Sequence, residues 1–115
     1  MTKDFLVYLE DIIDAMDKAV FFVEGMTYEQ FKEDIKTHYA VVRSIEIIGE
    51  ATKRLPMMIR ERYPDIPWKD MAGMRDIIIH GYDNINQKIV WDVVKRDIPR
   101  IKPLIQQVIT DYDKE

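Results

Sequence analysis

The chain contains no cysteine. That excludes disulfides and thiolate metal sites, and it suits a reducing compartment, read here as the cytoplasm. Histidine is scarce, with two residues, His38 and His80. With no H-x-x-x-H pair and no carboxylate cluster at ligand spacing, no metal site is expected. The four glycines are scattered at 25, 49, 73 and 81. They form no glycine-rich phosphate loop, so no nucleotide cofactor is expected. No apolar run approaches the length of a membrane span, and the N-terminus is acidic and amphipathic rather than a basic-then-apolar leader. Sustained alternation of apolar and polar residues is missing, which argues against strands. There is no internal repeat and no low-complexity stretch.

What is present fits one folded domain spanning residues 1–115, with 47% hydrophobic and 33% charged residues. A net charge of −4 argues against a general nucleic-acid coat protein. The charge is uneven, however. Residues 1–50 carry 5 basic and 11 acidic side chains, whereas residues 51–102 carry 11 basic and 7 acidic. Lys53, Arg54, Arg60, Arg62, Lys95, Arg96, Arg100 and Lys102 belong to the second group. They are either solvated helix faces or a rim for phosphates.

Helical periodicity runs through most of the chain. Residues 4–24 place Phe5, Leu9, Ile12, Met16, Ala19 and Val23 on one seam, widened by Leu6, Ile13 and Val20. Gly25 ends this helix. Thr27 and Gln30 form a capping-box pattern that starts a short helix to about Asp34. A third helix, expected from about Thr37 to Leu55, stops before Pro56. Its apolar face of Val41, Val42, Ile45, Ile47, Ile48 and Ala51 is broad enough for a central helix. Its polar stripe of Arg43, Glu46, Glu50, Lys53 and Arg54 reads as ion pairs on an exposed face, or as a polar wall beside a cleft. Residues 57–62 form one or two turns, and 63–68 a loop holding two prolines. Pro67 is placed as the first residue of a helix running to His80. Residues 83–86 look turn-like. A last helical region spans about Gln87 to Tyr112, on a seam of Val90, Val94, Ile98, Ile101, Ile105, Val108 and Tyr112, with Pro99 and Pro103 expected to kink or divide it. The expected fold is all-α, an up-and-down bundle of four main helices with short additional helices.

The segment Met74 to Tyr82 concentrates the chemistry. Arg75, His80 and Tyr82 stand in the spacing R-x4-H-x-Y, with Asp76 directly after the arginine. Gly81 reads as a helix C-cap, so Arg75 to His80 form the end of a helix and Tyr82 lies just beyond it. Arg75 and His80 are about 140° apart around that helix. A long arginine could reach round, or meet a second copy.

This spacing resembles the signature of the HEPN ribonucleases, and specifically of the HepT-like toxins. The resemblance extends in order through Tyr8-Leu9-Glu10-Asp11-Ile12, Ile45 to Ala51, Arg62 to Trp68 and Ala72 to Arg75. It implies a HEPN fold and an endoribonuclease that needs no metal and works as a homodimer with paired motifs facing each other. It also implies a partner: a nucleotidyltransferase antitoxin of the MNT type, which transfers AMP to the motif tyrosine, here Tyr82.

The residue types suit the implied reaction. RNA cleavage without a metal needs a base for the 2′-hydroxyl, an acid for the leaving 5′-oxygen and a cation for the phosphorane oxygens. His80 titrates in the right range, and a helix C-terminus favours its protonated form. The planar fork of Arg75 matches two phosphate oxygens. Asp76 either orients one of these groups or is a solvated acid. One chain offers a single motif histidine, so a symmetric dimer would complete the set. Taken alone, His80 would read as a structural histidine and Tyr82 as an aromatic packed at a helix end; the flanking pattern favours a catalytic His80. His38 lacks such company and reads as a helix-start surface or packing residue. A catalytically silent HEPN protein that binds a nucleotidyltransferase partner is the alternative, and a plain helical dimerisation module a third. The intact Arg75, His80 and Tyr82 favour the toxin ribonuclease.

Overall fold

The computed structural model describes the backbone of residues 4–79 and 85–115, and the side chains of 4–74 and 87–115. Among the described residues the elements are α1 (Leu6–Phe22), α2 (Tyr28–Glu33), α3 (Ile35–Lys53), α4 (Met57–Arg62), α5 (Trp68–Ile79), α6 (Ile85–Asp92), a π-helical turn (Val93–Asp97) and α7 (Ile98–Asp113). No strand occurs among them, so the fold is all-α.

The long helices stack around α3. It packs against both α1 and α5, and α1 packs in turn against α7. Ring contact between Phe5 and Tyr112, with centroids 4.8 Å apart, joins the start of α1 to the end of α7. Lys102 pairs with Asp17 further along, so these two helices are antiparallel. The α1 seam is buried as its periodicity requires: Phe5, Leu9, Ile12, Met16, Ala19 and Val23 all lie in the core. Leu6 and Ile13 pack at its margin. Val20 departs from expectation and is exposed. Gly25 closes the following turn with φ 77°, a conformation that glycine reaches without a Cβ clash.

The capping box before α2 forms in full: the Gln30 amide N–H donates to Thr27 Oγ1, and the Thr27 N–H donates to Gln30 Oε1. α3 begins two residues before the expected Thr37. Asp34 is its N-cap, accepting from the Thr37 N–H at 3.0 Å, and this draws Ile35 and Lys36 into the helix. Two hydroxyls are buried inside the bundle. Ser44 and Thr52 donate back to the Ala40 and Ile48 carbonyls, at 3.2 and 2.7 Å, so neither is orphaned. At the other end of α3, the Arg60 guanidinium donates to the Thr52 carbonyl at 2.7 Å and satisfies one of the groups a helix end leaves open.

The last helical region is divided, and the division is at 93–97 rather than at a proline itself. The Ile98 N–H donates to the Val93 carbonyl, five residues back. Pro99 follows as the second residue of α7. It has no N–H, and its ring would press on the carbonyl four residues earlier in a regular α-helix; a widened turn removes that conflict. Pro103 does not end α7, which continues to Asp113. Residues 85 and 86, expected to be a turn, belong to α6. No helix among the described residues is long and apolar enough to cross a membrane.

Ile48 is fully buried in the middle of α3. Ile48→Ala should therefore cost about 2–5 kcal/mol, through lost burial and a residual cavity. Urea unfolding should show a lower midpoint with an unchanged slope.

Candidate active site

The expected site residues Arg75 and Asp76 fall on α5, whose placement starts at Tyr63. The Tyr63 hydroxyl donates to Asp111 Oδ2 at 2.9 Å, and Gln107 holds the other Asp111 oxygen at 2.8 Å. Those two hydrogen bonds, with the Gln107 contribution the larger, keep the Asp111 carboxyl below its usual range. Burial, reinforced by the Asp111 bond, pushes the Tyr63 phenol up to about 12. The Arg62 guanidinium lies over the Tyr112 ring at 4.7 Å and reaches Glu115 at 3.0 Å. Tyr63 is thus fixed to the end of α7. Its carbonyl accepts from Trp68 Nε1 at 2.9 Å, which fixes the first residue of α5. Pro67 supplies the carbonyl that accepts from the Met71 N–H at 3.0 Å, so it caps the helix rather than starting it.

Trp68, Met71 and Met74 are buried at successive turns and seat α5 in the core. Arg75 and Asp76 follow at once, and their backbone continues the helix to Ile79. Their side chains, and His80, Gly81 and Tyr82 altogether, lie outside the described residues, as does the expected helix end at His80. The structure therefore brings Arg75 and Asp76 onto one anchored helix and gives no distance among the four predicted site residues.

The chain beyond the motif is anchored too. Gln87 Nε2 donates to the Lys32 carbonyl at 3.2 Å. Val90 and Trp91 are buried, and the Trp91 ring meets Phe31 and Tyr28 at 5.3 and 5.9 Å. α5 starts at the Tyr63 end of the bundle, and α6 starts beside α2, at the opposite end. So α5 runs antiparallel to α3. His38 lies against Phe31, with ring centroids 5.8 Å apart, and its Nδ1 is buried with no hydrogen-bond partner among the described residues. It is the packing residue expected from its surroundings. Burial pushes its imidazole below the ordinary value of 6.5. The unfolded chain then binds the proton more readily, so His38 adds stability above about pH 6.5 that is lost as pH falls through its lower folded value. Unfolding at pH 7.5 and 5.5 should show a fall at the lower pH that His38→Leu reduces.

The basic residues largely have structural duties. Arg60 caps α3, Lys102 pairs with Asp17, and Arg96 and Arg100 face Asp97. Arg54 lies 5.9 Å over the Tyr8 ring, and Lys95 lies 5.2 Å over Trp91. On α3, Arg43 stands 3.6 Å from both Glu46 and Glu50, the intrahelical pairing expected of that stripe. What the sequence reading missed on this helix is that Ile35 and Tyr39 share the stripe and are exposed; the signal was their spacing of four, hidden by the helix start placed at Thr37. No three His, Asp or Glu side chains converge as a metal site among the described residues.

A family model described as Ribonuclease HepT-like matches residues 12–108, which include the whole R-x4-H-x-Y segment. The chain belongs to the HepT-like ribonuclease family. Membership places it among the HEPN endoribonucleases. A Thermococcus cleftensis protein named "Probable ribonuclease HepT" is 44% identical over 95 residues, 83% of this chain and 86% of its own. Two Methanocaldococcus jannaschii proteins named as candidate RNases are similar over nearly the full length. MJ1216 is 43% identical over 111 residues, 96% of this chain and 92% of its own, and MJ0125 is 42% identical over 113 residues, 98% and 97%. No solved structure matches the chain. The matched region includes α5, which is gripped at its start and through two turns of buried side chains, Trp68, Met71 and Met74.

Proposed function

We propose that this HepT-like ribonuclease is the toxin of a toxin–antitoxin pair and cleaves RNA without a metal, in a cleft shared by two copies. The observation that carries the reading is an intact R-x4-H-x-Y motif inside the matched family region. Arg75 clamps the scissile phosphate. One His80 takes the proton from the 2′-hydroxyl, and the His80 of the second copy protonates the leaving 5′-oxygen. The 2′-oxygen bonds to phosphorus as the bond to the 5′-oxygen breaks, giving a 2′,3′-cyclic phosphate and a 5′-hydroxyl. Asp76 supports this arrangement by orienting Arg75 or His80. The pairing of two motifs supplies the second titrating group that one chain lacks.

Control falls to Tyr82. A nucleotidyltransferase antitoxin of the MNT type joins the tyrosine oxygen to the α-phosphorus of ATP, and pyrophosphate leaves as the phenol proton is lost. The adenylyl group brings a negative phosphodiester and a base within two residues of His80. Purified chain incubated with RNA in excess EDTA tests the reading: continued cleavage supports it, and loss of cleavage restored by divalent ions contradicts it.

A further inference from the structure

Among the described residues α5 packs along one long helix, α3, and buries Trp68, Met71 and Met74. Apolar burial is non-directional, so it turns a helix face inward without closely setting its height or rotation. A second tie is directional, and it starts on α7. Gln107 Nε2 donates to Asp111 Oδ1 at 2.8 Å, and the Tyr63 hydroxyl donates to Asp111 Oδ2 at 2.9 Å. The Tyr63 carbonyl then accepts twice, from the Ile66 N–H at 3.2 Å and from Trp68 Nε1 at 2.9 Å. Pro64 and Pro67 fix their own φ in this segment, and Ile66 is buried, so Tyr63 and Trp68 are joined by a stiff link. The register of α5 carries that link to Arg75. Arg75 stands seven residues after Trp68, which places its Cα about 10.5 Å further along the helix and about 20° from Trp68 around it. A slide or rotation at Trp68 is therefore passed on to Arg75.

We propose that Tyr63 and Asp111 are positioning residues of the ribonuclease, bracing α5 from α7 so that Arg75 meets the scissile phosphate at the right height. This rests on the reading of Arg75 as the phosphate clamp. Both residues act through Trp68 and the α5 backbone rather than on RNA. Asp111 is half-buried at the end of the bundle where α5 starts, whereas Arg75 lies in the second half of that helix. The demand on the brace is steep, because a displacement of about 1 Å arising far from the chemistry can cost about a hundredfold in rate. Tyr63 suits the task. Its hydroxyl and its carbonyl bond in opposite directions along the link, and its ring is held by Arg62, 5.6 Å from the centroid, which also lies over Tyr112.

Single-turnover cleavage of a defined RNA tests this in the full chain. Tyr63→Phe and Asp111→Ala should each slow cleavage about tenfold. The double variant should be within about twofold of the slower single one, because both changes cut the same link. Asp111→Asn keeps an acceptor for the Tyr63 hydroxyl and should stay within about threefold of the wild type. The deciding readout is the same pair of changes made in Arg75→Ala. With the clamp gone its placement no longer matters, so Tyr63→Phe and Asp111→Ala should alter the residual rate by less than about twofold. Circular dichroism checks that each variant stays helical. Should Asp111→Ala unfold, Tyr63→Phe decides, since it removes one oxygen from a half-buried ring. Wild-type rates in both single variants overturn the proposal while sparing the clamp. An equal loss in the wild-type and Arg75→Ala backgrounds also overturns it, since that is general softening of the fold. An Arg75→Ala chain that cleaves as the wild type does, or a wild type that cleaves no RNA, overturns the clamp and the brace together.

Discussion

Arg75→Ala and His80→Ala should each reduce RNA cleavage by roughly a hundredfold to ten-thousandfold, and the helical content of the protein should stay unchanged. The size follows from the roles. A positioned acid or base contributes about 10²–10⁴-fold, and loss of one group that stabilises developing charge costs about 10²–10³-fold. The two variants should fail differently. Arg75→Lys keeps the charge but loses the planar fork, so it should recover only part of the activity. His80→Ala should also flatten the pH profile in the range where an imidazole titrates. A dimer makes a further demand. Because the cleft draws on the His80 of both copies, an equimolar mixture of wild type and His80→Ala should form hybrid dimers that keep only one histidine, and activity should fall below half that of the wild type. Assay of each protein alone and of the mixture, at equal total concentration, checks all of this. Wild-type activity in His80→Ala would remove histidine from the mechanism.

Exposure to an MNT-type nucleotidyltransferase and ATP should silence the enzyme by modifying Tyr82. The intact mass should rise by AMP less water for each group added, and cleavage should fall in proportion to the modified fraction. Thermal unfolding should change little, because Tyr82 belongs to none of the 3.6-residue apolar seams of the sequence. Tyr82→Phe lacks the nucleophilic oxygen. It should keep most of its cleavage activity and stay active in the presence of the transferase and ATP. Complete inhibition without a change in mass would mean that the partner caps the cleft by binding alone.

The core was legible because it rests on period alone. The seams of α1 and α7 are buried almost residue for residue, since 3.6-residue spacing leaves little choice about which side chains turn inward. Boundaries that depend on competition between caps were harder. Asp34 and Thr37 are both good N-caps, and the tertiary fold uses Asp34. Asn84, Ile85 and Asn86 have turn composition, yet α6 begins at Ile85, where the packing of Val90 and Trp91 on α2 rewards a longer helix. Pro99 announced a break. Its form, a widened turn before the proline, depends on which carbonyls find donors and has no sequence signature. The functional reading came from a different source. Arg75, His80 and Tyr82 were found by spacing in an ordered context, and the structure adds the anchored helix that carries Arg75. The outer stripe of α3 was half seen: its charges were read as intrahelical pairs, which they are, and the two apolar residues that continue it were not joined to it.

The chemistry of the cut ends is the most direct test. Purified wild-type chain is incubated with a defined RNA in excess EDTA, and the fragments are analysed by mass spectrometry. Attack by the 2′-hydroxyl predicts a 2′,3′-cyclic phosphate on one fragment and a 5′-hydroxyl on the other, both absent with His80→Ala. Fragments ending in a 3′-hydroxyl and a 5′-phosphate, formed only when a divalent ion is supplied, would contradict the account.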